Sequence, residues 1–204
     1  MSGVEHVPAV VSAAAPLVKR WGYWAVVGLL FLEDFGLPVP GETVLVAAAF
    51  YAGLSQLNIL FVIIAGIVAA LMGDNVGFMI GYYGGHPLAE RYGRYVFLTP
   101  QRIDRAMKFF ERYGGRVVVI ARFIDGLRQL NGIIAGMSEM VWLRFLAFNF
   151  LGAVLWVCFW AGVGYYGGSY IETILHGQLY VTLVVLIGLA VFITYKIWRR
   201  RTVR

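Results

Sequence analysis

Cysteine and histidine are nearly missing from this chain of 204 residues, and so is charge. The one cysteine, Cys158, sits inside an apolar run. Neither an intrachain disulfide nor a CxxC redox centre can therefore form, and Cys158 reads as a small core residue. The three histidines, His6, His86 and His176, are scattered, and no HExxH, GxSxG or GxGD pattern occurs. Ser138 has no evident base partner, so the expectation is a protein that is not an enzyme and that holds no metal or cofactor. Only 14% of the residues are charged while 60% are hydrophobic, against roughly 25% and 45–50% in soluble domains. So few polar side chains cannot cover a water-soluble fold of this size; hydrocarbon is the expected solvent. A cleavable signal peptide is not expected either, because Lys19 and Arg20 follow the modest apolar run 7–18 instead of preceding it.

The charges that are present lie where a membrane surface would want them. A net charge of +6 in a soluble chain would suggest nucleic acid, but here the basic residues flank apolar segments, so no nucleic-acid partner is expected. Seven Lys/Arg fall between Arg91 and Arg116, and five more, with no acid, between Lys196 and Arg204. Positive residues collect on the cytoplasmic side, which puts loop 86–116 and the C-terminal tail there. Residues 99–113 read as an amphipathic interfacial helix: Thr99-Pro100 starts it, Gly114-Gly115 ends it, and Ile103, Met107, Phe110 and Tyr113 oppose Arg102, Arg105, Lys108 and Arg112.

Hydropathy divides the rest of a single membrane domain into apolar segments at 21–53, 57–84, 115–140, 141–168 and 179–198. About 20 residues cross the hydrocarbon core, so the second, fourth and fifth read as transmembrane helices. The first and third are broken. Glu33-Asp34-Phe35-Gly36-Leu37-Pro38-Val39-Pro40-Gly41-Glu42 interrupts one, and Arg122-Phe123-Ile124-Asp125-Gly126-Leu127-Arg128 interrupts the other. A repeat accompanies the pattern: Ile80-Gly81-Tyr82-Tyr83-Gly84-Gly85 returns as Val163-Gly164-Tyr165-Tyr166-Gly167-Gly168. Each half reads as a broken segment, then a span that closes on this pentapeptide.

A charge at mid-bilayer depth costs roughly 2.5–3.5 kcal/mol on insertion scales, and Pro38 and Pro40 each remove a backbone donor. Non-helical backbone survives in lipid only where protein buries it or a wet cavity receives it. The economical solution is an all-α membrane protein in which two re-entrant helical hairpins face each other tip to tip. Each would be followed by a transmembrane helix, and the interfacial helix and a C-terminal span complete the plan. Each hairpin returns to its own side, so both basic regions end on one side of the bilayer. The candidate binding residues are Arg122, Arg128, Glu33 and Glu42, with Glu33 and Glu42 placed to exchange protons. Asp34, Asp74, Asp125 and Asn131 are secondary candidates.

These residues resemble a known family. The stretch Glu33…Gly36…Pro38…Pro40-Gly41-Glu42, the run Gly73-Asp74-Asn75…Gly77…Gly81, and Arg122-Phe123…Arg128…Ala135-Gly136 with Met140 are similar to motifs of the DedA family of bacterial membrane proteins. This family shares the VTT or SNARE-associated domain, and the likeness spans about residues 20–200. It implies a bacterial inner-membrane protein with two facing hairpins that moves lipid carriers such as undecaprenyl phosphate, with proton coupling suspected. It also implies functional acids at Glu33 and Glu42 and an arginine pair at Arg122 and Arg128. The chain departs from the pattern at Asp125, where the family often has proline, and at Asn131, in a usually apolar or small stretch. An added carboxylate there would weaken anion binding or change the preferred lipid.

The resulting expectation is a transporter or flippase for an anionic phospholipid or polyprenyl phosphate, with protons or cations as partners. A proton-coupled carrier of a small anion or solute is the first alternative, and an intramembrane lipid phosphatase a weaker one.

Overall fold

The structure is a computed structural model that describes residues 9–92, 108–110, 112–124 and 126–167. It consists of helices α1 (Ala9–Trp21), α2 (Tyr23–Asp34), α3 (Gly41–Gly53), α4 (Ile59–Tyr92), α5 (Arg116–Ala121), α6 (Leu127–Met137) and α7 (Trp142–Gly167). Residues 108–110 and 112–113 are also helical. Most of the expected interfacial helix 99–113, the C-terminal span 179–198, the basic tail and Asp125 lie outside the described residues.

Two helical stretches, Ile59–Gly84 and Trp142–Gly167, are long and apolar enough to cross a membrane. Their outward faces carry Leu60, Phe61, Ile64, Val68 and Met72 on α4, and Leu143, Phe150, Leu151, Leu155 and Phe159 on α7, all exposed. Cys158, expected in the core, is instead exposed on α7, where a small apolar side chain can face hydrocarbon as readily as a core. Apolar surface on that scale is a liability in water and the natural exterior in hydrocarbon. The described residues are accordingly helices and short turns, with the exterior of a membrane protein.

Both broken segments are helix, break, helix. At the first break, the N–H of Gly36 donates to Glu33 O and that of Leu37 to Leu32 O, the hydrogen-bond pair of a Schellman ending. Gly36 has φ +106, a left-handed value for which glycine has no Cβ penalty. Pro38 and Pro40 then centre two tight turns, the N–H of Val39 donating to Leu37 O and that of Gly41 to Val39 O, before α3 begins at Gly41. None of α2, α3, α5 and α6 exceeds 13 residues, about 20 Å at 1.5 Å per residue, so none reaches across the roughly 30 Å hydrocarbon layer alone.

Helix α3 is the centre of the larger core. Its residues from Val44 to Ala49 are fully buried, and α1, α2, α4 and α7 all pack on it. A helix apolar all round belongs inside. Hydropathy marks residues 7–18 only as a modest apolar run, yet Val11, Ala14 and Val18 of α1 are buried in the same core. The segment expected to start at residue 21 is therefore preceded by a packed helix, from which Gly22, at φ +52, separates it.

The repeat has a structural meaning. A side chain at Gly81 would run into the carbonyl oxygen of Ile133 on α6, and one at Gly164, the same position in the second copy, into that of Val46 on α3. Each span thus lies backbone to backbone against the second arm of the other half's broken segment, as small residues allow between membrane helices. The expectation that the pentapeptide closes each span needs correction for the first copy. Helix α4 runs on through Gly84-Gly85 to Tyr92, since a glycine inside a helix costs only about 1 kcal/mol and does not by itself stop it. On α6, a Cβ at Gly136 would strike Phe78 O of α4. Gly136→Val is therefore expected to destabilise the protein by on the order of 1–3 kcal/mol or more, read as a lowered thermal midpoint in detergent; an unchanged midpoint would contradict this contact.

Candidate functional site

The breaks bring their charges together between the two spans. Gly36 of the first break lies beside Gln129 O at the start of α6, so the two breaks are neighbours. Arg122, at the C-terminal end of α5, is 1% exposed. Its Nη1 donates to Asp74 Oδ2 and to Asn149 Oδ1, each at 2.5 Å, and its Nη2 to Asp34 Oδ2 at 3.2 Å. Arg128, in the first turn of α6, pairs through Nη2 with Glu33 Oε1 at 2.6 Å and lies 3.5 Å from Asp34 Oδ1 and 4.0 Å from Glu42 Oε2. Its guanidinium stands over the ring of Trp156, 4.3 Å from the centroid.

Local structure explains each placement. Glu33 and Asp34 end α2, and Glu42 begins α3, where the Glu42 N–H donates to Glu33 Oε2 at 2.8 Å. A carboxylate at a helix N-terminus meets unpaired N–H groups and the positive end of the helix dipole. Asp74 sits one residue after Gly73, whose missing side chain lets α4 approach Phe31 O and Asp34 of α2. Asp34 then bridges the two arginines, one from each of its oxygens.

The cluster has a closed end and a more open one. The side chains of Arg122, Asp34 and Asp74 are 0% exposed, whereas Arg128, Glu33 and Glu42 stand at 3%, 9% and 16%. Four carboxylates meet two guanidiniums. If all were ionised the site would hold a net negative charge inside an apolar shell, so charge pairing alone does not account for it.

Of the residues singled out from sequence, Arg122, Arg128, Glu33, Glu42, Asp34 and Asp74 meet here. Asp74, weighed as a secondary residue, is a direct partner of Arg122. Asn131 is buried but serves a brace: its amide donates to Val118 O at 3.0 Å, tying α6 to α5. Sequence reasoning missed Asn149 and Trp156, both from α7. A lone buried amide in an apolar span was the available signal for Asn149; nothing distinguished Trp156 from an ordinary core aromatic. Among the described residues, no group of three or more His, Cys, Asp or Glu is arranged to hold a metal ion.

Comparison with known proteins identifies the family of this chain. The VTT domain family matches residues 39–166, a range that holds every cluster member except Glu33 and Asp34. Protein DedA of Escherichia coli is 32% identical over 163 residues, covering 76% of this chain and 74% of that protein. An uncharacterized membrane protein of Synechocystis is 34% identical over 152 residues, 74% of this chain and 70% of its own length. A Bacillus subtilis protein named undecaprenyl phosphate transporter A is 28% identical over 165 residues, 80% of this chain and 83% of that one. No solved structure matches.

Proposed function

We propose that this chain, which belongs to the VTT-domain family that includes DedA, carries an anionic membrane lipid, a phospholipid or a polyprenyl phosphate, across the bilayer. The observation that carries the reading is the buried cluster of two arginines and four carboxylates where the two helix breaks meet. Ionisable groups this deep in a membrane fold are costly and seldom without a role. Arginine suits a phosphate because its planar donors engage two oxygens at once. The name of the Bacillus subtilis relative points to the same class of substrate.

The chemistry is an exchange. Carboxylates occupy the guanidiniums at rest, so a phosphate enters only as they give way. An acid that takes up a proton no longer competes for the arginine. Anion and proton binding are therefore linked, each favouring the other, as any two coupled ligands must be. Glu33, which contacts both Arg128 and the start of α3, is the first candidate to make that exchange, with Glu42 beside it. In this reading the two broken segments are re-entrant hairpins. The side that holds residues 86–116 is cytoplasmic, and the membrane is the inner one of a bacterium.

The test is reconstitution into vesicles containing a polyprenyl phosphate or an anionic phospholipid, with lipid exposure measured on the far leaflet. Protein-dependent exposure that responds to a proton gradient is expected. Uptake of a soluble anion with no lipid movement would overturn the lipid reading in favour of a small-anion carrier. Glu33→Gln should flatten the pH dependence of exposure, and a profile identical to the parent's would remove Glu33 from the coupling. Cysteines placed at Leu37 and Leu127, both partly exposed near the breaks, should crosslink; failure to do so would contradict hairpin tips that meet.

A further inference from the structure

We propose that Asn149 and Trp156 are positioning residues that hold the two arginines from the uncharged side, so that the guanidiniums keep their place while the acids change partners. The inference rests on the reading of the cluster as an anion site and adds to it the helix that fixes its geometry. Asn149 and Trp156 are seven residues apart on α7, close to two full turns, and so share one face. Both are buried, at 0% and 1% exposed. Asn149 Oδ1 accepts from Arg122 Nη1, and the Trp156 ring covers Arg128. Gly152 lies between them on the same stripe, and a Cβ there would stand 3.3 Å from Arg122 Cδ. One face of a straight span thus offers an acceptor, a gap for an arginine stem and a ring.

None of these three groups titrates. The other contacts described around the arginines run to Glu33, Asp34, Glu42 and Asp74, carboxylates that an exchange mechanism must release in turn. A guanidinium held only by them would lose its seat at the moment a phosphate arrives. The orientation of the amide follows from chemistry, since an arginine only donates and must meet the carbonyl oxygen of Asn149. The ring contact adds a second consequence. An aromatic face attracts a guanidinium through its quadrupole and shields one side of it, leaving the N–H edge in the plane. That edge is where Glu33 binds, and a ligand replacing Glu33 must present its oxygens there. Phosphate and carboxylate can do so.

The test compares Trp156→Phe with Trp156→Leu and Asn149→Leu with Asn149→Asp in reconstituted vesicles containing polyprenyl phosphate. Phe keeps a ring while losing volume, and Leu loses both volume and ring. Trp156→Leu should raise the lipid concentration for half-maximal transport on the order of fivefold, a typical cation–π contribution, with Trp156→Phe closer to the parent. Modification of Arg128 by phenylglyoxal, read by mass spectrometry, should rise in the Leu variant more than in the Phe variant. Asn149→Leu should slow transport. Asn149→Asp, which keeps an acceptor but makes it titratable, should shift the pH profile. Equal behaviour of the Phe and Leu variants in both assays would reduce Trp156 to a space filler and overturn its part. A parent-like rate in Asn149→Leu, or an unshifted profile in Asn149→Asp, would overturn that of Asn149. Arg122→Lys and Arg128→Lys run alongside as controls. If both transport like the parent, the anion site itself fails. If they are impaired while the α7 variants are not, only this inference does.

Discussion

Arg122→Leu will cost about 3–5 kcal/mol of stability, the range seen when one partner of a buried ion pair is removed. Arg122 is almost fully enclosed and holds Asp34, Asp74 and Asn149 at once. Its loss strands Asp74 with none of its described partners and leaves Asp34 only the 3.5 Å contact to Arg128. Thermal unfolding in detergent reads the effect directly. Arg122→Lys should fall between, because a point charge cannot span three acceptors as a planar fork does. A second substitution identifies the cause: Asp74→Asn in the Arg122→Leu background removes a stranded charge and should recover part of the loss. A double-mutant cycle then gives a coupling energy of about 0.5–3 kcal/mol. Additive effects would mean that the two side chains do not depend on each other, contrary to the geometry.

Arg128→Lys will act on transport more than on stability, lowering the rate by about tenfold or more. The number follows from losing one charge-assisted hydrogen bond, worth about 1.5–3 kcal/mol. The placement of the effect follows from exposure. Arg128 with Glu33 and Glu42 forms the more open end of the cluster, and Arg122 with Asp34 and Asp74 the closed end. On the proposed function, a phosphate entering from the more open end would meet Arg128 first and its fork would matter during binding, while Arg122 ties the closed end together. Vesicle assays and unfolding of the same preparations separate the two. If Arg128→Lys lost stability as heavily as Arg122→Leu and kept its transport rate, this division of labour would be wrong.

Much of the membrane architecture was legible without coordinates because hydropathy, proline and charge act locally. The spans at 57–84 and 141–168 declared themselves by length, and the breaks by Pro38, Pro40 and charges that a straight helix could not carry through lipid. Arg122, Arg128, Glu33 and Glu42 stood out for the same reason, each too costly to be incidental. The repeated Gly-Tyr-Tyr-Gly-Gly was visible too, but as a string of letters; its meaning, a glycine in each span pressed against the opposite half, needed two helices in place. Likewise nothing local marked α1 as core, since its apolar run is modest and becomes buried only because α3 lies beside it.

Which residues would carry charge was thus determined by the sequence, and which charges would meet was decided by the tertiary structure. Arg122 reaches Asn149, Asp74 and Asp34 across 27, 48 and 88 residues of chain, separations at which no pattern in the sequence specifies a partner. The close approach of α2 to α4 at Gly73, and of α5 to α7 at Gly152, sets those distances. Asp74 therefore rose from a secondary residue to a direct ligand of Arg122, and Asn149 and Trp156 entered the site unannounced. Hydrophobic burial decides which face of a helix turns inward; only the packing of several such helices decides what that face will touch.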